Sequence, residues 1–254
     1  MIKSWIFANL LLFLLLTLLW VVSRKKKDVS IVDPAWSIGI IFQPIVIFLF
    51  QPEKTLFQLL VLVLAGIWAL RLSGYLIYRN WGKGEDKRYA EMRLNDPHFD
   101  QTSLFKIFWF QGLLMTLVAL PLNLMMGWGI FFHFWLLIPL VVAITGLIWE
   151  VVADMQLVEF KQDPKNKGLI LDTGLWGLSR HPNYFGEFVF WWGIFGVSLP
   201  LFWYVTWVSP VLMSFLLLKV SGVTLLDRHL RDKKGFSVYE SKIPPFFPTF
   251  FPKR

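Results

Sequence analysis

Cysteine is absent from the 254 residues, and histidine occurs only four times. The first absence excludes disulfides, thiol nucleophiles and cysteine-ligated zinc. The four histidines, His98, His133, His181 and His229, form no HExxH or HxxH pair, so the sequence predicts no metal site. No GxGxxG follows a strand-like run and no Walker loop occurs, which leaves out the two commonest soluble nucleotide-binding folds. Charged residues are scarce as well, at 17%. There is no internal repeat and no separate soluble domain.

Apolar sequence is what the chain has in abundance. Hydrophobic residues make up 56% and the mean hydropathy is +0.56. Apolar runs long enough to cross a hydrocarbon core, which takes about 20 helical residues, recur along the chain. The pattern predicts an all-α integral membrane bundle, because no alternating ten-residue barrel pattern appears. About seven spans are expected: Trp5 to Val22, Pro34 to Phe50, Leu56 to Ile77, Leu104 to Leu120, Phe131 to Phe160, Tyr184 to Leu199 and Leu201 to Val220. The first is read as a retained span, since "SRKKKD" follows it and no small-residue cleavage site does. The whole chain, 1–254, reads as one membrane domain.

With the amino terminus outside, every one of the 25 Lys and Arg except Lys3, Lys54 and Arg71 falls in cytoplasmic connections or the tail. That asymmetry predicts a cytoplasmic carboxyl terminus. Contact with anionic lipid accounts for the net charge of +8, so membrane lipids are the expected partner and nucleic acid is not. Every one of the 17 acids except Glu53 also lies on or towards the cytoplasmic side. Function is therefore expected to face the cytoplasm.

Ionisable residues inside spans mark candidate sites, because charge is costly in lipid. On the fifth span, "IWEVVADMQLVEFKQDPKNKG" puts Glu150, Asp154 and Lys161 on one face, with Glu150 roughly 16 Å up the axis from Lys161. A polar groove entering from the cytoplasm is the expectation. On the third span, "WALRLSGYLIYRN" stacks Arg71, Tyr75 and Tyr78 or Arg79. The following "RNWGKGEDKRYAEMRLNDPHFD" has the aromatic and glycine content of an ordered lid. In "IVDPAWSIG", Asp33 reads as an N-cap before Pro34. In "SRHPNY", Ser179 reads as a cap, and the start of the next helix faces the cytoplasm as an anion site, with Lys161, Lys165 and Lys167 in the same loop. Glu187 lies one turn beyond Asn183. The set calls for a ligand with both anionic and hydrogen-bond-donating parts.

The segment "NKGLILDTGLWGLSRHPNYFGEFVFWWG" resembles the carboxyl-terminal signature of the membrane reductases that include steroid 5-alpha-reductases and sterol C14 and C7 reductases. The similarity is greatest to bacterial relatives carrying the steroid 5-alpha-reductase C-terminal domain, and extends to "VDPAW", "GKGEDKRY", "SLFKIFWFQGLLM", "QDPKNKG" and "LLKVSGVTLLD". The resemblance implies NADPH held by residues 104–254, with 1–103 supplying a substrate-side cavity and the lid. It implies cofactor contacts at Arg71, Asp154, Lys161, Lys167, Arg180, His181, Asn183, Tyr184, Glu187 and Tyr239. It further implies hydride transfer to an activated C=C or C=O of a lipophilic, steroid- or isoprenoid-like molecule, in a bacterial inner membrane. Asp33 and Tyr89 are the favoured catalytic donors among Arg71, Tyr75, Tyr78, Tyr89 and Asp33. The Gln-Glu pair that steroid reductases carry in the second span is missing, since only Asp33 and Gln43 stand there, which argues against steroid specificity. Isoprenylcysteine-type methyltransferases share a related "RHPxYxG" core, so an S-adenosylmethionine enzyme is the alternative. There the acidic element would be Asp227 in "LLDRHL". A lipid-binding protein without activity is the third reading.

Overall fold

The computed structural model describes residues 1–220, 230–231 and 235–249, without the side chain of Phe202. Asp227, His229, Lys233 and Lys234 and most of the "LLKVSGVTLLD" motif lie outside the described residues. All regular structure among the described residues is helical. Among the described residues, five helical segments are long and apolar enough to cross a membrane, or six if one bent pair is a single span. The expectation of seven is therefore not reached by length and composition. Contacts divide the chain into two compact units, Met1–Phe132 and His133–Arg254.

In the first unit, α1 (Ile2–Lys26) is a leucine-rich helix ending in Arg24, Lys25 and Lys26, which complement the negative end of its dipole. Lys27 stops it in a left-handed conformation, with the Lys27 and Asp28 amides donating to Arg24 and Ser23 carbonyls. A short 3-10 turn, Val29–Ile31, then leads into α2 (Val32–Phe50). Asp28 caps that turn by accepting from the Ser30 amide, so α2 takes Ile31 as its N-cap and Asp33 falls in its first turn. The expected N-cap role of Asp33 is thus corrected.

Helix α3 (Leu56–Asn80) opens on a capping box between Thr55 and Gln58. The same two side chains reach the end of α7 (Leu120–Trp128): Gln58 Nε2 donates to the Met125 carbonyl at 3.0 Å, and Thr55 Oγ1 to the Ile130 carbonyl at 3.0 Å. Helices α4 (Lys87–Asn95) and α5 (Phe99–Ser103) occupy the connection after α3. The expected fourth span is more broken than its apolar run suggests. A π-helical stretch, Leu104–Trp109, precedes α6 (Phe110–Val118), and the axis bends by 56° before α7.

Lipid removes most of the hydrophobic drive for helix association, so packing and polar contacts hold this unit together. Trp68, Phe108, Met115, Leu122, Met125 and Met126 are fully buried. A chain of uncharged polar groups links four helices: Thr116 Oγ1 to Asn9 Oδ1 (2.9 Å), Gln43 Nε2 to Thr116 Oγ1 (3.2 Å) and Asn123 Nδ2 to Gln43 Oε1 (3.3 Å).

In the second unit, α8 (Leu137–Gln162) and α9 (Pro182–Thr206) make the most extensive helix contact. Small residues let their backbones touch. A Cβ on Gly186 would come within 2.5 Å of the Glu150 nitrogen, one on Gly193 within 2.6 Å of the Ala143 Cα, and one on Gly196 within 2.6 Å of the Pro139 Cβ. α9 also runs through Pro200 to Thr206, where a break at Pro200 was expected. α10 (Val208–Phe215) and a π-helical stretch, Leu216–Val220, follow. The last described helix, α11 (Phe236–Lys242), buries Phe236, Tyr239 and Ile243 with Ile170 and Leu230 packed against them.

Candidate functional site

Asp33 and Tyr89, chosen from sequence without geometry, are hydrogen-bonded in the first unit. The Tyr89 hydroxyl donates to Asp33 Oδ1 at 2.8 Å and accepts from Gln111 Nε2 at 3.2 Å. Because Gln111 takes a lone pair of the phenol oxygen, the phenol hydrogen is directed at Asp33. Arg88 approaches Asp33 Oδ2 at 3.5 Å and holds Asp86 at 2.9 Å. Tyr89 is buried, and burial, the Asp33 charge and the Asp33 hydrogen bond together push its phenol well above the ordinary range.

The connection carrying Tyr89 is docked over the start of α2. Glu85 Oε1 accepts from the Val29 amide at 2.9 Å, and the Asp86 amide donates to Ser30 Oγ at 2.9 Å. Arg93 bridges Glu85 and Asp100, each at 2.8 Å, with its guanidinium over the Phe99 ring. Burial works to raise the Glu85 carboxyl, but bonds from Arg93 and the Val29 amide outweigh it and hold the group below its usual range. Asp96 is held down to about 2 by the Lys106 ammonium and Thr102. The segment expected to form a lid is held by ion pairs of its own and by bonds to Val29 and Ser30. Gln111, Arg88 and Arg93 were missed as members. Only the run of alternating charge in "GEDKRYAEMR" could have pointed to the arginines.

In the second unit, Arg180, His181, Asn183, Tyr184 and Glu187 lie at the start of α9 and Asp154 faces them from α8, whereas Lys161 is in the last turn of α8, Lys167 in the connection after it and Tyr239 on α11; Arg71 lies half-buried on α3 in the first unit. Asn183 Nδ2 donates to Asp154 Oδ1 at 3.0 Å, tying the first turn of α9 to α8. The His181 ring stacks on Tyr184 at 5.9 Å between centroids. Arg180 is 6% exposed, with Nη1 3.2 Å from Glu240 and its guanidinium over Phe236. Asp154, His181 and Glu187 are buried, whereas Lys161 and Lys167 are exposed. His181, rather than Ser179, is the N-cap of α9; Ser179 Oγ receives the His181 amide at 3.2 Å and donates to the Phe246 carbonyl at 2.8 Å. Glu150 is 2% exposed with its backbone under Gly186, so α9 covers the stretch expected to open as a groove.

Tyr239 reaches the cluster through backbone. Its hydroxyl donates to the Trp176 carbonyl at 2.8 Å, and Trp176 Nε1 donates to the Ala153 carbonyl at 3.0 Å. Trp176 and Glu240 were not anticipated, because their contacts depend on the carboxyl-terminal segment folding back: the Pro244 carbonyl accepts from the Arg180 amide at 2.9 Å and the Leu178 carbonyl from the Thr249 amide at 2.9 Å.

The donor set suits a ligand of mixed character. Arg180, Lys161 and Lys167 offer positive charge for anionic groups, Asp154 and Glu187 accept hydroxyl or amide hydrogens, and His181 and Tyr184 present stacked rings. No curated protein matches the chain, and no solved structure does. The family model that matches, over residues 19–243 and hence across both units, is DUF1295, a family described as proteins of unknown function, and the chain belongs to that family.

Proposed function

We propose that this protein is a membrane reductase related to the steroid 5-alpha-reductases and sterol reductases, using NADPH to reduce an activated C=C or C=O of a lipophilic molecule. The observation that carries the reading is the start of α9, where buried Arg180 and His181 adjoin the Asp154–Asn183 hydrogen bond. This is the segment on which the resemblance is most specific. NADPH brings a pyrophosphate and a 2′-phosphate, for which Arg180, Lys161 and Lys167 are the natural partners; Asp154 and Glu187 would accept from ribose hydroxyls or the carboxamide. When bound, the cofactor supplies the hydride.

The chain's own contribution to the reduction is the proton and the charge. Asp33 and Tyr89 hold one hydrogen between them at 2.8 Å, and Gln111 fixes its direction. A substrate oxygen that gains charge as hydride arrives needs a donor, and on this reading the Tyr89 hydroxyl serves it by exchanging Asp33 for that oxygen as its acceptor. The lipophilic substrate enters from the bilayer, and the site faces the cytoplasm of what we read as a bacterial inner membrane.

The rival is an S-adenosylmethionine-dependent methyltransferase. S-adenosylmethionine carries one carboxylate with two cationic centres and needs fewer positive partners than this cluster supplies. The test is ligand stabilisation of the purified protein. A ligand at 100 times its Kd stabilises by about 2.7 kcal/mol through preferential binding to the native state. NADPH is expected to raise the melting temperature more than NADH at equal concentration, with little effect of S-adenosylmethionine. A larger shift from S-adenosylmethionine would reverse the assignment.

A further inference from the structure

The cytoplasmic end of α8 carries a hollow that the reductase reading does not use. Gln156, Glu159 and Phe160 on α8 and Leu171, Thr173 and Gly174 on the following segment line about 200 Å³. That is the volume of roughly six or seven waters at ~30 Å³ each, room for a small polar head and too little for an acyl chain.

The walls are built. Gln156 Oε1 accepts from the Leu175 amide at 3.0 Å, and Asn166 Nδ2 donates to the Phe160 carbonyl at 2.9 Å. Gly174 has φ 59, and a Cβ there would stand 2.7 Å from the Gln156 amide, so only glycine lets the segment lie this close. The chemistry favours a cation. Glu159 enters no ion pair among the described residues. Phe160 and Thr173 line the same hollow, and the negative end of the α8 dipole lies at this end of the helix. Exposed Lys161, Lys165 and Lys167 follow directly in sequence. Charges of both signs thus adjoin.

Depth identifies the source of such a ligand. The apolar segment Phe134–Gln162 has 29 residues, whereas about 20 cross the hydrocarbon. The segment is thus about 13 Å longer than the hydrocarbon needs at 1.5 Å per residue, and the charged end of α8 at Glu159 and Lys161 is the end that the headgroup layer accommodates.

We propose that this hollow is a headgroup site for a zwitterionic phospholipid of the phosphatidylethanolamine type. Glu159 and Thr173 accept from the ammonium beside Phe160, and Lys165, which the cofactor reading leaves unassigned, meets the phosphate. A primary ammonium is preferred over choline because its three N–H donors match these acceptors. The site is independent of the cofactor assignment.

The test is native mass spectrometry of protein in micelles with equimolar dioleoyl phosphatidylethanolamine, phosphatidylcholine and phosphatidylglycerol. Phosphatidylethanolamine is expected to be retained preferentially. Glu159→Gln and Thr173→Leu should each cut that preference about tenfold, the loss expected for one hydrogen bond to a charged group. Both positions are exposed, and unchanged melting curves would show that the variants fold. Equal retention of the three lipids, or wild-type preference in Glu159→Gln, would overturn the proposal. So would displacement of the lipid by equimolar O-phosphoethanolamine, which would make the site one for soluble amine phosphates. The NADPH shift is read on the same samples, and its absence would count against the reductase alone.

Discussion

Substituting Gly186 by alanine tests whether backbone contact is what holds α8 to α9. The added methyl would lie 2.5 Å from the Glu150 nitrogen and 2.7 Å from the Gly146 carbonyl oxygen. Carbon needs about 3.5 Å from such neighbours, so the helices must part by roughly 1 Å. The obstructing atoms are backbone, and no side-chain rotation relieves them. Overpacking of this kind costs about 1–3 kcal/mol, partly offset by the ~0.5–1 kcal/mol that alanine gains over glycine within a helix. A net loss of about 1–2 kcal/mol is expected. Gly146→Ala meets the Gly186 carbonyl oxygen at 2.7 Å, so it strains the same spot, and the double variant should lose less than the sum of the two. Gly66 on α3 is the control, since a Cβ there meets nothing within 4 Å and Gly66→Ala should be neutral or stabilising. Steric-trap unfolding in bicelles gives the free energies. Gly186→Ala as stable as the wild type, with Gly66→Ala behaving as expected, would refute the argument from contact.

Tyr89→Phe leaves the half-buried Asp33 Oδ1 without its phenol donor, and should cost about 1–3 kcal/mol while raising amide exchange over residues 83–95; unchanged exchange would mean that the bond does not hold the segment down. The Asp96 carboxyl, held at about 2 against an ordinary 3.8, favours the folded connection above pH 3.8 and loses that contribution as pH falls towards 2. Lys106→Ala should shrink this step in amide exchange monitored by acid titration, with the bonds from Thr102 and the His98 amide keeping the remainder. Tyr89 is shifted the other way, so its contribution is complete below pH 10 and declines above it as the unfolded chain ionises; alkaline unfolding should begin at higher pH in Tyr89→Phe once its lower starting stability is allowed for. Because the chain has no cysteine, single cysteines at Lys54 and Lys87 can be labelled cleanly, and they should react from opposite faces of the membrane. Labelling from one face would remove the topology.

Helix identity was legible because each apolar run is long and lacks a period of two. The boundaries were less so. The sequence places a break at Pro200, yet α9 continues to Thr206, since proline removes one amide donor without ending a helix whose other bonds persist. Nothing in "LFKIFW" distinguishes the π-helical stretch from an α-helical one, and the 56° bend after α6 is likewise silent. Asp33 was read as a cap because Asp-Pro is a common helix start. The competing signal was Asp28, five residues earlier, which capped a 3-10 turn first. The pairing of Asp33 with Tyr89 spans 56 residues. Residue type named both as donors, but no local pattern could bring them together. Around α9, the Asn183–Asp154 bond joins two residues that the resemblance had singled out, while Glu240 and Trp176 stayed hidden because a carboxyl-terminal fold-back has no periodicity to read.

The glycine contacts of α8 and α9 also constrain how this part of the chain can change length. One inserted residue turns everything beyond it by about 100° around a helix axis. An insertion in α9 between Gly186 and Gly193 would swing Gly193 and Gly196 away from Ala143 and Pro139 and bring aromatic side chains against backbone. Related chains should therefore vary in length between Asp163 and Thr173 or beyond Thr206, and keep a fixed count from Gly186 to Gly196. A gap inside that interval of an alignment would mark either a misplaced residue or a different helix pair.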